Sequence, residues 1–189
     1  ARRMANGAMV IEMPEVIMRL QDGHVIMRPV PRLRSRELVR EAMLMAGEAA
    51  ARFAIEHRLP FPYATQEAPD LQGFKGEEIT LPPSMEDLAG CYALRRALKR
   101  SQVSSQPGIH AGIGLAAYSR STSPLRRYVD VVVNQQLRAY LCGQSLLNEQ
   151  QILERLGASE AIMGSVNQAE WLARRHWTLV YLMQNPNWQ

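Results

Sequence analysis

The sequence predicts a mixed α/β chain of the α+β kind, rich in helix, with one small sheet element near its start. Three observations predict it. Apolar residues recur at helical spacing over long stretches in the middle and rear of the chain. Strand-like runs flank the tight-turn dipeptide Asp22-Gly23. The length of 189 residues and a hydrophobic share of 47% suit one domain or a large part of one.

The elements follow in order. Val16–Leu20 and Val25–Arg28 read as the arms of a hairpin, ended by Pro29 and Pro31. A two-stranded hairpin is marginal alone, so it is expected to join a sheet supplied from elsewhere. Ser35 is positioned to cap a helix to about His57, with Val39, Met43, Ala46, Ala50 and Phe53 as its apolar stripe. Glu41 and Glu48 fall on the opposite face, with Arg52 four residues beyond Glu48. Residues 58–83 contain Pro and Gly and predict a connecting loop. Ser84 with Asp87 resembles a capping box for a helix to about Ser101. His110–Tyr118 alternates small and larger residues and predicts an extended strand. After the helix that follows Ser123, Cys142-Gly143 marks a C-cap. Asn148 and Gln151 open a short helix to about Leu156, Gly157–Ser159 breaks it, and a last helix runs from Glu160 to about Met183.

Thr122-Ser123-Pro124-Leu125-Arg126-Arg127-Tyr128 is the most informative stretch. Ser123 suits an N-cap and Pro124 the first helical position. Val129, Val132, Val133, Leu137 and Tyr140 continue at helical spacing. A helix N-terminus already carries positive charge, so two arginines there make sense when an anion sits at that end. Guanidinium forks grip phosphate bidentately, which points to a phosphate site. The alternative is a surface ion pair with Asp130, three residues after Arg127 and four after Arg126.

The run from His110 to Leu137 resembles the C-terminal part of the RNB catalytic domain of the ribonuclease II / ribonuclease R family. The matching residues are His110, Gly112, Leu115, Tyr118, the Thr122–Tyr128 signature, Asp130 and Val133. Val39–Phe53 is similar to that family's Val-Glu-Glu-x-Met helix, with Gly47 where Asn is frequent, and Asn167–Trp177 to its last helix. The resemblance implies an RNB-type α/β fold and a 3′-to-5′ hydrolytic exoribonuclease that releases nucleoside 5′-monophosphates with Mg²⁺. It implies a catalytic role for Arg126 near the scissile phosphate and places Glu41 near the RNA 3′ end. The family's metal-binding aspartates cluster toward the front of the domain, whereas Asp22, Asp70, Asp87 and Asp130 are scattered. The carboxylates for a two-metal displacement are therefore expected in a preceding half, which binds the Mg²⁺. Residues 1–183 are expected to be the rear part of the catalytic domain, a truncated or nicked piece inactive alone. Residues 184–189 are expected to link toward a following OB-fold domain.

The remaining candidates follow from residue chemistry. Arg127 and the adjacent N–H groups are expected to hold a neighbouring phosphate, with Thr122 and Ser123 shaping the turn. Tyr118 is suited to stack a base or to sit in the core. His110 is suited to contact RNA or to support a loop. Glu170 shares a helix face with Ile162, Val166, Ala169, Ala173 and Trp177. A carboxylate on an apolar face needs a partner, and Arg126 or Arg127 is the natural one, either aiming an arginine or joining two helices.

Net charge is +4 and the pI about 9.4, which suits an acidic partner such as the 3′ end of single-stranded RNA. Arg95, Arg96, Lys99 and Arg100 crowd a predicted helix end, where the dipole favours cations in any case. Cys91 and Cys142 lack metal-ligand spacing and read as small buried hydrophobes in a reduced, cytoplasmic setting. No stretch of about 18 apolar residues predicts a membrane span. The rival functions are a non-catalytic RNA-binding module and a structural helical domain whose arginines pair internally.

Overall fold

A computed structural model describes residues 2–9, 11, 13–69 and 87–187. The chain forms α1 (Arg2–Ala5), β1 (Val16–Gln21), β2 (His24–Pro29), α2 (Arg34–Glu56), β3 (Tyr63–Thr65), α3 (Leu88–Ala97), β4 (Gln102–Ser104), α4 (Tyr128–Leu141) and α5 (Glu149–Gln184). It is helix-rich with small antiparallel sheets, as expected. Two compact units divide it. One holds Ala1–Met13 and Arg34–Gly157, and the other Pro14–Leu33 and Ala158–Gln189.

In the first unit the core lies where α2 meets the segment 59–64 and α4. Ala50, Ala51 and Ala54 pack with Leu59, Phe61, Tyr63, Ala117 and Val133. Small side chains on α2 let backbone approach closely. Gly47 is the tightest such point, because a Cβ there would lie 2.3 Å from the Tyr118 ring and 2.4 Å from the Ser119 carbonyl oxygen. That approach seats Ser119, whose N–H donates to the Gly47 carbonyl at 3.2 Å and whose hydroxyl donates to the Pro62 carbonyl at 2.6 Å. A second cluster joins Val132 of α4 to Ile152 and Leu156 of α5. Buried Gln136 ties the loops around it, donating to the Pro60 and Leu147 carbonyls and accepting from the Leu147 N–H.

In the second unit β1 and β2 form the expected hairpin, Val16 opposite Pro29 through Gln21 opposite His24. Its turn places Asp22 and Gly23 at φ 52° and 77°, the left-handed pair that a two-residue hairpin requires. Among the described residues this sheet has two strands. It is anchored to the end of α5. The Gln184 side chain accepts from the Val25 N–H at 2.9 Å and donates to the Gly23 carbonyl at 3.1 Å.

Several local expectations are corrected. Residues 63–65 are not loop but strand, because they pair with 102–104; residues 70–83 lie outside the described residues. Asp87 caps α3 directly, accepting from the Gly90 N–H at 2.7 Å, whereas Ser84 lies outside the described residues and the helix stops at Ala97. Residues 110–118 do not form a strand. Ala111–Ile113 is a 3₁₀ turn between isolated bridges at His110 and Leu115. Gly157 does not break a helix, and α5 is continuous. A helix-interior glycine costs only about 1 kcal/mol, and no proline interrupts the ladder there. The expected capping residues do begin α5: the Gln151 side chain accepts from the Asn148 N–H and the Asn148 side chain from the Gln151 N–H. Cys91 is buried as expected, but Cys142 is exposed because it is the C-cap of α4 rather than a helix-interior residue.

Candidate functional site

The signature does not fold as the first turn of the long helix. Ser123–Arg127 makes a turn of its own, with the Arg126 and Arg127 N–H groups donating to the Ser123 carbonyl at 3.2 and 3.0 Å. Arg127 then adopts an extended conformation as the N-cap of α4, without a side-chain cap. Buried Asp130 explains the break. One oxygen of its carboxylate, Oδ2, accepts from the Ser123 N–H at 2.7 Å and from the Arg127 guanidinium at 2.6 Å. The side-chain amide of Asn134 adds bonds to the Ser121 and Asp130 carbonyls. Folding the turn back onto the helix gives one oxygen of this carboxylate an N–H and a guanidinium, and so offsets a charge that burial would otherwise penalise severely.

The two arginines consequently have different surroundings. Arg127 is partly buried against Asp130, and this is an internal pair rather than the surface pair that spacing suggested. Arg126 and Leu125 point outward, and among the described residues the Arg126 side chain has no ion pair or hydrogen bond. Arg127, Thr122 and Tyr118 line a groove of about 400 Å³ together with Val39, Met43 and Arg40 of α2. Its wall is apolar and its rim is cationic. Tyr118 is half-buried, and burial raises its phenol above the usual range. Its ring meets His110 edge-on at 5.8 Å. His110 is buried, and burial, reinforced by nearby Arg120, lowers its imidazole below the usual range. His110 Nδ1, Arg127 Nε and Asp130 Oδ1 are buried without a hydrogen-bond partner among the described residues.

The acidic residues of α2 are engaged from the N-terminal segment. Arg3 forms a two-point ion pair with Glu41, one contact being 3.1 Å from Nε, and donates to the Ile113 carbonyl at 3.0 Å. Arg2 pairs with Glu48, and Arg52 reaches the same carboxylate at 2.7 Å. Glu48 is therefore buried rather than on a solvated face. The paired arginines hold Glu41 and Glu48 below the usual carboxylate range, against the opposing effect of burial. Two adjacent arginines near the start and two glutamates seven residues apart on one helix face were the available signal for this clamp.

Glu170 is exposed on α5 in the second unit, whereas Arg126 and Arg127 stand in the first, where Arg127 takes buried Asp130 as its partner. The apolar face on which it was placed is itself exposed, Ile162 and Trp177 included.

Acid should weaken the first unit in two stages. His110 titrates lower in the folded state than in the unfolded one, so its contribution is complete above about pH 6.5 and declines as pH falls below that value. Glu41 and Glu48 contribute fully above about pH 4.3 and lose that contribution as pH falls through their depressed folded values. The expected result is a Tm that falls from pH 7 to 5 and more steeply below. His110→Gln should flatten the upper part only; an unchanged profile would show that His110 is not the group responsible.

No three His, Cys, Asp or Glu residues gather as a metal site among the described residues. Asp130, Glu41 and Glu48 are each committed to arginine, and Asp87 to a helix cap. Among the described residues, this donor set does not fit a divalent metal.

Comparison with known proteins gives the family. The RNB domain model matches residues 1–143. An uncharacterized ribonuclease of Synechocystis is 39% identical over 194 residues, covering 99% of this chain and 28% of that protein. Ribonuclease R of Thermotoga maritima is 29% identical over 184 residues, covering 80% of this chain and 25% of that protein. The chain thus spans between a quarter and a third of these relatives. Among solved structures, an active-site mutant of the Dss1 exoribonuclease from Candida glabrata shares the fold, with a TM-score of 0.83 and 24% identity over 98% of this chain and 25% of that one. RNase R of Mycoplasma genitalium, in complex with ribose-methylated single-stranded RNA, has a TM-score of 0.73 and 18% identity over 95% of this chain and 34% of that one. No described helix is long and apolar enough to cross a membrane. Because the family match takes in α2, the pinned turn and Asp130 together, the chain belongs to the RNB domain family, alongside ribonuclease II and ribonuclease R.

Proposed function

We propose that residues 1–183 supply the rear part of an RNB catalytic domain in a cytoplasmic 3′-to-5′ hydrolytic exoribonuclease. Its substrate is the 3′ end of single-stranded RNA and its products are nucleoside 5′-monophosphates. Residues 184–189 lead toward a following OB-fold domain. One observation carries this assignment: the Arg126 side chain has no ion pair or hydrogen bond among the described residues, and it stands on a turn that buried Asp130 fixes from within. A guanidinium held out on a pinned turn, beside the positive end of α4, is suited to neutralise charge growing on non-bridging phosphate oxygens. Arg127 and Thr122 face the groove and suit an adjacent phosphate, while Ser123 fixes the turn through its backbone. Tyr118 offers the groove a ring for base or sugar, supported by His110. Glu41, aimed by Arg3, is assigned to the RNA 3′ end. Magnesium ligands are assigned to the preceding half of the domain and to no carboxylate of this chain.

The test is product analysis. The full-length protein carrying this chain, given 5′-labelled single-stranded RNA, should shorten it from the 3′ end and release mononucleotides bearing 5′-phosphates. Tight binding without shortening would instead favour a non-catalytic RNA-binding module, the rival supported by the basic balance of the chain. Internal cuts or 3′-phosphate products would overturn the assignment.

A further inference from the structure

The hairpin of the second unit has two unlike faces. Its register places Met18, Val25 and Met27 on one side. That side is the anchored one: Val25 is buried, and the Thr178 hydroxyl of α5 lies 3.7 Å from the Met18 sulfur. The other side pairs Ile17 with Arg28, Arg19 with Ile26, and Gln21 with His24. Arginine and isoleucine thus alternate in a checkerboard, and no carboxylate stands among them. Arg19 and Arg28 form a diagonal pair, a spacing of about 7–8 Å in an antiparallel ladder. Both are exposed, and neither has an ion pair or hydrogen bond among the described residues. This face is concave, a depression of about 230 Å³ closed at one end by Pro29 and Pro31.

We propose that this hairpin face is a second RNA-contact surface, separate in sequence and in unit from the signature turn, that holds a single-stranded RNA backbone without reading its sequence. The proposal takes RNA as ligand from the function assigned above. Charge complementarity selects the occupant. Two exposed guanidinium groups with no ion pair among the described residues favour a polyanion, and arginine forks match phosphate oxygens. The isoleucines and prolines between them give sugar and base edges an apolar floor. The face carries no Phe, Tyr or Trp, and His24 at its turn end is the one aromatic ring on it, so it lacks the broad stacking platform that strong single-strand binders use, and its contacts are with the backbone.

The test measures binding of the full chain to a fluorescent oligouridylate across a salt series, with Arg19→Gln/Arg28→Gln compared to wild type. Both positions are exposed, and an unchanged Tm verifies that the variant is folded. The expected result is about tenfold weaker binding at low salt, with the slope of log K against log salt reduced by about 1.4, from two lost single-strand phosphate contacts. Arg95→Gln/Arg96→Gln removes the same charge elsewhere and should change both quantities much less. Wild-type affinity and slope in the hairpin variant would overturn the proposal, as would equal losses in both variants or arginine-dependent binding to phosphatidylserine vesicles without binding to RNA. Because Arg126 governs turnover and lies outside the hairpin, a failure here leaves the loss of turnover in an Arg126 variant intact, so the two assignments fail separately.

Discussion

Arg126→Ala in the full-length protein is expected to lower kcat on single-stranded RNA by about 10²–10³-fold, the usual effect of removing one preorganised group that stabilises developing charge. Affinity for the same RNA should change by no more than a few-fold. The reasoning is geometric. The Arg126 side chain makes no ion pair or hydrogen bond among the described residues, so truncating it leaves the bonds that hold the turn in place. On the proposed function, what it removes is charge at the place where the phosphate oxygens gather negative charge. Arg126→Lys should recover only part of the loss, because an ammonium cannot reproduce the planar two-point fork. Single-turnover kinetics together with equilibrium binding check this directly. Equal losses in turnover and affinity would mean that Arg126 only binds RNA. An unchanged rate would remove it from the chemistry altogether.

Asp130→Ala should have the largest effect on stability. It deletes a fully buried carboxylate that accepts from the Ser123 N–H and the Arg127 guanidinium, and it leaves both donors without that acceptor. Breaking a buried pair costs about 3–5 kcal/mol, and the partial exposure of Arg127 places this case near about 3 kcal/mol. For a chain of this length that corresponds to a fall in Tm on the order of 10 °C. The double variant Arg127→Ala/Asp130→Ala should be more stable than Asp130→Ala alone, because no uncompensated guanidinium then remains. Asp130→Asn should fall between, since it keeps an acceptor for the Ser123 N–H and loses the charge. Thermal melts of the four proteins decide the matter. A Tm for Asp130→Ala within about 1 °C of wild type would show that the turn does not depend on this carboxylate. In the full-length enzyme the same variant should also lose turnover, because the turn carrying Arg126 is no longer held.

The amount that was legible in the sequence varied with the range of the interaction. The hairpin at Asp22-Gly23, the body of α2, the Asn148 cap and the stop before Pro186 were legible because neighbouring residues fix them. The start of α4 was not. Ser123-Pro124 has the local chemistry of a helix start, but Asp130 draws the Ser123 N–H and Arg127 onto itself and delays the helix to Tyr128. Glu48 was expected on a solvated face because spacing along α2 cannot show that Arg2, remote in sequence, lies over it.

The sequence by itself determined the helix-rich class, the hairpin, the basic balance and the signature that places the chain in its family. Each of these depends on composition or on residues a few positions apart, where backbone preference and side-chain spacing act without distant help. Only the tertiary structure decided which arginine is committed to the fold and which stands free, that the acids of α2 are clamped from the N-terminal segment, and that the signature forms a turn of its own. Those outcomes depend on which groups are buried together, and the cost of burying an unpaired charge overrides local preference.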